Sequence, residues 1–190
     1  MSKQTDDITL VKSILSGNTA AFGLLVKKHA DMVFTIVRKV VQNREDAEEV
    51  AQDVFVKAYQ SLQTFKGTAK FSTWLYRIAY NMAISHTRKQ KHIHVELEEK
   101  MAQEMTEDEI IENLDTFDYD MRSEMVEQAI NKLPNDENMI VTLFYLEDNT
   151  VEDISCIMGI SKENVKIKLF RIRKKLYAQL QQSMYQYSMV

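Results

Sequence analysis

The residues best equipped for chemistry lie between Val54 and Val95, 42 positions without one Asp or Glu in a chain that holds 28. The stretch carries Lys57, Lys66, Lys70, Arg77, Arg88, Lys89 and Lys91, with His86, His92 and His94. Seven of the chain's 17 aromatics are interleaved with them: Phe55, Tyr59, Phe65, Phe71, Trp74, Tyr76 and Tyr80. Rings for base stacking beside cations for phosphates, with no carboxylate to repel them, suit a single-stranded nucleic acid. The plainer alternative is a core helix with a solvated basic face.

A second constellation closes the chain. Val151, Ile154, Ser155 and Met158 share one side of a short helix, and small Ser155 permits close packing of the next. Gly159 stands where a left-handed C-cap is needed, and Ile160 plugs the angle between helices. Ser161 caps a final helix with Val165 and Leu169 inward and Lys162, Lys166, Lys168, Arg171, Arg173, Lys174 and Lys175 around it. That is the spacing of a helix-turn-helix with a basic recognition helix. An ordinary helical hairpin with a basic exposed face is the alternative.

Composition limits what can position these groups. Four glycines and one proline in 190 residues are too few for a β-rich chain, and all-α is expected. Cys156 alone supports neither a disulfide framework nor a zinc site. No apolar run nears a membrane span and the polar start is no signal peptide, so a cytoplasmic protein is expected. Net charge is −4, unevenly spread: residues 54–95 carry +7, 96–127 carry −11 and 161–190 carry +6. Local field, rather than the net value, is what meets a polyanion.

Periodicity places helices at about 8–15, 20–41 (capped by Asn18 or Thr19), 44–62 and 72–90. The third has the clearest stripe: Ala47, Val50, Ala51, Val54, Phe55, Ala58, Tyr59 and Leu62. The acidic segment 95–120 reads as a solvated linker. Helices at about 121–133 (stopped by Pro134), 136–146, 151–158 and 162–181 follow. The expected organisation is therefore a four-helix domain over 1–94, a linker over 95–120, a helix-turn-helix domain over 121–182 and a tail over 183–190.

The run Phe65-Lys66-Gly67-Thr68-Ala69-Lys70-Phe71-Ser72-Thr73-Trp74-Leu75-Tyr76-Arg77-Ile78-Ala79-Tyr80-Asn81 resembles conserved region 2 of bacterial sigma-70-type sigma factors. The preceding Glu48 to Tyr59 is similar to the part of that region that binds core RNA polymerase, and Leu133-Pro134 through Leu176 resembles region 4. With no room for regions 1.1 and 3, the chain resembles the extracytoplasmic-function (ECF) class. The resemblance implies a factor without catalytic chemistry or cofactor that binds core RNA polymerase and directs promoter-specific initiation, in response to a stress or envelope signal. Glu49, Gln52 and Asp53 would dock on the polymerase clamp helices; a merely solvated acidic face is the alternative. Lys66, Gly67, Thr68, Ala69 and Lys70 would enclose a flipped base of the −10 non-template strand, a task suited to a loop. Arg77, Asn81, Arg88 and Lys89 would meet phosphates and the upstream edge of that element. Phe71 and Trp74 read as packing under helix four rather than stacking on a base.

By the same resemblance, Lys162, Asn164, Lys166, Ile167, Lys168, Phe170 and Arg171 would meet the −35 duplex. Lys166 and Arg171 suit guanine edges, Asn164 a phosphate or adenine. Lys174 and Lys175 would give sequence-independent backbone contacts. Asn164 and Ile167 replace the Thr and Ser often seen in the family's Thr-Val-Lys-Ser run, which obscures the promoter sequence. The linker would thread the polymerase channel, or serve as an acidic spacer. The class also implies an anti-sigma partner.

Two other functional classes fit parts of the sequence. Glu45, Asp46, Glu48, Glu49 and Asp53 could hold Mg²⁺ as in all-α nucleotide pyrophosphohydrolases, but a facing acidic helix is required and helix four has no acid to offer. A helix-turn-helix regulator that never binds core polymerase is the other. No metal is expected: His86, His92 and His94 read as a basic tail without a nearby carboxylate or cysteine.

Overall fold

The computed structural model describes residues 2–90 and 119–187, with side chains over 7–88 and 124–183. Every regular element among them is helical. The expected linker as far as residue 118, residues 188–190 of the expected tail, Lys89's side chain, His92 and His94 lie outside these described parts; residues 183–187, expected as tail, instead continue the final helix. The chain divides into two compact units: Met1–Ile93 with Asn149–Lys162, and His94–Asp148 with Glu163–Val190.

The first unit contains α1 (Ser2–Leu15), α2 (Phe22–Val40), α3 (Arg44–Ser61), α4 (Phe71–Gln90) and α7 (Val151–Met158). The helix α1 starts earlier than periodicity implied, and a 3-10 turn at Thr19–Ala21 leads into α2 without a side-chain cap from Asn18. Asn43 caps α3 by accepting from the Asp46 amide at 2.9 Å, which meets one of the four orphan donors of the first turn. The helices α2, α3 and α4 pack mutually. Leu25, Val33, Ile36 and Val37 face Ala47, Val50, Val54 and Ala58 and Leu75, Ala79 and Ala83, all buried. The alanines let the backbones approach, and each larger aliphatic contributes about 1.5–3 kcal/mol by burial. Tyr59 departs from the expected stripe: at 43% exposure it lies over the rim against Phe22, ring centroids 5.0 Å apart. A stripe wider than the interface leaves its flank in water.

A buried polar cluster holds α1 to α2. Asp7 accepts from Lys28 Nζ at 2.6 Å and pairs with His29 Nε2 at 3.1 Å; Asp7 and His29 are both buried. Burial acts to raise the Asp7 carboxyl, but the hydrogen bonds from His29 and Lys28 outweigh it and hold it below the usual range.

The second unit contains α5 (Tyr119–Asn131), α6 (Asn135–Val141) and α8 (Lys162–Tyr187) from Glu163 onward. Pro134 terminates α5 as expected and Asn138 Nδ2, from α6, donates to the Ile130 carbonyl at 2.8 Å. After α6 the chain widens into a π-helical turn, Thr142–Leu146, closed by the Glu147 amide on the Thr142 carbonyl. Met139, Ile140, Leu143, Val165, Leu169 and Ile172 are buried in this unit. Salt bridges tie α8 to α6: Lys168–Asp136 at 2.8 Å and Lys175–Glu137 at 2.6 Å.

Two outcomes follow from these placements. Asp7→Ala is expected to destabilise the protein by about 2–3 kcal/mol at pH 7, since it strands a buried partner. Because the folded carboxyl titrates below its unfolded value of 3.8, that contribution is present above pH 3.8 and fades as pH falls through the folded value; urea unfolding at pH 7 and pH 3 reads the difference. Gly159→Ala, at φ +69° with open space where a Cβ would stand, is expected to cost about 1 kcal/mol through backbone strain alone, by the same assay.

Candidate nucleic-acid interface

The segment Phe65–Lys70 leaves α3 through a 3-10 turn at Leu62–Thr64 and enters α4 at Phe71. Gly67 takes φ +71°, a left-handed value that glycine adopts without cost. Lys66, Gly67 and Thr68 are exposed and Ala69 and Lys70 half-buried, so the five expected base-enclosing residues share one surface loop. Its ends are pinned by rings. Phe71 is buried at 1% exposure, with Phe65, Trp74 and His29 within 5.5–5.6 Å of it, centroid to centroid. Phe71 is therefore packing, as expected, and Trp74 is half-buried over it. Along α4, Arg77, Asn81 and Arg88 are exposed. They continue the cationic surface away from the loop.

The loop has a neighbour that sequence reasoning missed. The helix α7 packs along α4. Asp153, in its first turn, accepts from Thr73 Oγ1 at 2.8 Å and lies 3.5 Å from Lys70 Nζ. The same carboxylate accepts from the Thr150 amide and hydroxyl, while the Asp153 amide donates to Thr150 Oγ1: a complete capping box. Burial acts to raise the Asp153 carboxyl, and the Thr73 and Thr150 hydrogen bonds with the Lys70 charge outweigh it, leaving it below the usual range. The Thr-Val-Glu-Asp capping pattern was visible in the sequence. What Asp153 touches beyond its own helix was not.

On α3, Glu49, Gln52 and Asp53 are exposed and fall on one face by offsets of three and four. Val56, next on that face, is 55% exposed. It lines an open apolar groove with Phe22, Phe55 and Tyr59. One histidine expectation needs correction: His86 Nε2 lies 3.5 Å from Asp46 Oδ2, so a carboxylate does stand near it. The two are an ion pair candidate across α3 and α4, and among the described residues no group of three or more potential ligands forms a metal site.

After α7, Gly159 adopts the left-handed C-cap that its position required, and Ser155 Oγ donates to the Ile160 carbonyl at 2.7 Å. Ser155 is thus a turn-fixing donor as well as a small residue. On α8, Lys162, Asn164, Lys166, Ile167, Phe170 and Arg171 are exposed, whereas Val165 and Leu169 are buried. The amphipathic division is as expected. Its cations differ in their engagements: Lys162 meets Glu152 at 2.7 Å, Lys168 and Lys175 meet α6 carboxylates, and Lys174 lies 4.9 Å from the Phe170 ring centroid. The exposed Lys162–Glu152 and Lys168–Asp136 pairs are of a kind worth about 0–1 kcal/mol, whereas Glu137, facing Lys175, is only 14% exposed.

The sequence matches two family models, Sigma-70 region 2 over residues 25–93 and Sigma-70 region 4 over residues 123–176. It is 31% identical over 187 residues to the RNA polymerase sigma-H factor of Pseudomonas aeruginosa, covering 95% of this chain and 97% of that protein. It is 32% identical over 188 residues to the ECF RNA polymerase sigma-E factor of Haemophilus influenzae, covering 95% and 98%. Among solved structures it resembles CnrH in complex with the cytosolic domain of CnrY, with TM-score 0.62 at 24% identity, over 91% of this chain and 96% of that one. The sigma factor RpoE of Bartonella quintana, bound to the anti-sigma factor NepR, is similar with TM-score 0.60 at 19% identity, over 84% and 96%. Helical units with the expected cationic loop and basic C-terminal helix, and relatives matched nearly end to end, place this chain in the sigma-70 family, as a member of the ECF class of RNA polymerase sigma factors.

Proposed function

We propose that this sigma factor acts in the cytoplasm, binds core RNA polymerase through α3, and opens promoters with the loop at Lys66–Lys70, without catalysis of its own. The observation that carries this reading is the carboxylate-free surface loop with a left-handed glycine at its tip, fixed at its ends by the packed rings of Phe65 and buried Phe71. A base leaving a duplex needs a surface that is rigid before it arrives, because ordering the surface afterwards would cost affinity. Arg77, Asn81, Arg88 and Lys89 extend the same cationic face for phosphates.

Docking on the polymerase uses Glu49, Gln52 and Asp53, with Val56 supplying apolar contact. An acidic face with an adjacent apolar groove fits a basic, amphipathic helical partner. On α8, Lys166 and Arg171 are the proposed base readers of the −35 element, with Asn164, Ile167 and Phe170 beside them. Lys162, Lys168, Lys174 and Lys175 give sequence-independent contacts after leaving their present carboxylate or ring neighbours. An anti-sigma protein is the proposed inhibitor, as solved structures of similar fold hold such partners. The reading without core polymerase loses support, because the region 2 match covers the whole of α3 and α4.

Charge reversal by Asp53→Lys is expected to weaken core polymerase binding about tenfold or more while leaving DNA binding by α8 unchanged; a fluorescence titration with core enzyme, beside a duplex shift assay, measures both. Equal core affinity would reject the docking assignment. Arg171→Ala is expected to cost about 1–3 kcal/mol of promoter binding and relax preference at one base pair, whereas Lys175→Ala weakens all sequences alike and lowers the salt slope. Competition binding with single-base promoter variants across a salt series separates the two.

A further inference from the structure

We propose that Ile167 selects a thymine in the duplex read by α8, by packing on the C5-methyl group of that base. The inference rests on the reading of α8 as a reader of duplex DNA, and it names what one position of that helix recognises. Ile167 is 48% exposed, and Phe170, one turn on, is 49% exposed. Single exposed aliphatics are ordinary on a surface. The placement of this one is not. At about 100° per residue it stands roughly opposite buried Val165 and Leu169, two positions to either side of it, and so at the centre of the outward face. Asn164 and Arg171, three residues before it and four after, share that face and carry polar groups to it. Ile167 carries none.

Chemistry then narrows the target. A recognition helix in a major groove turns the outward face of its N-terminal part to base edges, and Ile167 lies in the second turn of α8. An aliphatic side chain set against a donor or acceptor strips it of water and returns no hydrogen bond. The thymine methyl is the apolar group in the major-groove code, so it gains from the contact where the polar edges lose. A β-branched side chain is stiff at χ1 in a helix, and little rotamer freedom is lost when it is buried. Phe170 widens the apolar patch, and its ring lies under Lys174 Nζ, 4.9 Å from the centroid. Where the family's run often carries serine, whose hydroxyl pairs with more than one base edge, this chain carries isoleucine. The exchange trades an adaptable contact for a methyl-specific one.

Holoenzyme formed from the full-length chain and core RNA polymerase is offered fully paired duplexes with a randomised segment, and the bound sequences are enriched and read. Wild type is expected to enrich an element with a preferred thymine. Replacing that thymine by deoxyuridine, which removes only the methyl, is expected to weaken binding about fourfold, the value of one buried methyl group. Ile167→Ala is expected to lose preference at that position alone and to bind the thymine and deoxyuridine duplexes equally. Ile167→Val, which keeps an apolar contact, is expected to retain most of the discrimination. Equal binding of the two duplexes by wild type overturns the proposal. Undiminished discrimination in Ile167→Ala also overturns it, since the methyl then belongs to a neighbour such as Phe170. Arg171→Ala separates this inference from the reading beneath it. If Arg171→Ala enriches the same element as wild type, unchanged at every position, α8 is not the reader and both fail. If Arg171→Ala alters the element while deoxyuridine has no effect on wild type, only the assignment to Ile167 fails.

Discussion

The N-terminal unit depends on where one ring sits. Phe71 is the first residue of α4 and is nearly sealed from water, between Phe65 from the preceding loop, Trp74 one turn on, and His29 from α2. A large apolar side chain at a helix start does two things together: it fixes where the helix begins and which way it points. The five residues ahead of it then have both ends anchored and no freedom to drift. His29 passes the constraint outward, because the imidazole that touches Phe71 is also paired with Asp7 of α1. A buried ion pair is expensive to form and weak as a source of net stability. Its use here is registry, holding α1 at one position along α2.

Much of this was legible. The apolar stripe of α3, the stop at Pro134, the Gly159 cap and the division of α8 into buried Val165 and Leu169 against exposed cations follow from period and turn chemistry, which act locally. The surface loop at Lys66–Lys70 was legible from its glycine and its break between two apolar stripes. Three features were not. Tyr59 has the period of a core residue but lies beyond the edge of the interface, which only the packing of α2 decides. His86 meets Asp46 across two helices, a pairing with no trace in sequence spacing. Asp153 completes a capping box with Thr150, but its bonds to Thr73 and Lys70 span about 80 positions of chain, and no local rule reaches that far.

Charge in this protein is arranged by exclusion. The stretch proposed to meet nucleic acid lacks carboxylates, and the chain's acids are set elsewhere, 13 of them in residues 96–127 and others on α3's outer face, α6 and α7. Those on α6 hold Lys168 and Lys175 in ordered positions. The ordering is useful because long basic side chains lose rotamer freedom when they bind. In the proposed DNA contact part of that loss is already met in the free protein, and the exposed Lys168–Asp136 pair would give way to a phosphate at small cost.

The Asp153 carboxylate has two oxygen atoms, and they are engaged differently. Oδ2 accepts from the Thr150 amide and hydroxyl at the cap of its own helix and also faces Lys70 Nζ at 3.5 Å; Oδ1 accepts from Thr73. One side chain therefore both closes the start of α7 and ties that helix to α4, so a substitution at Asp153 disturbs a helix end and a helix packing together.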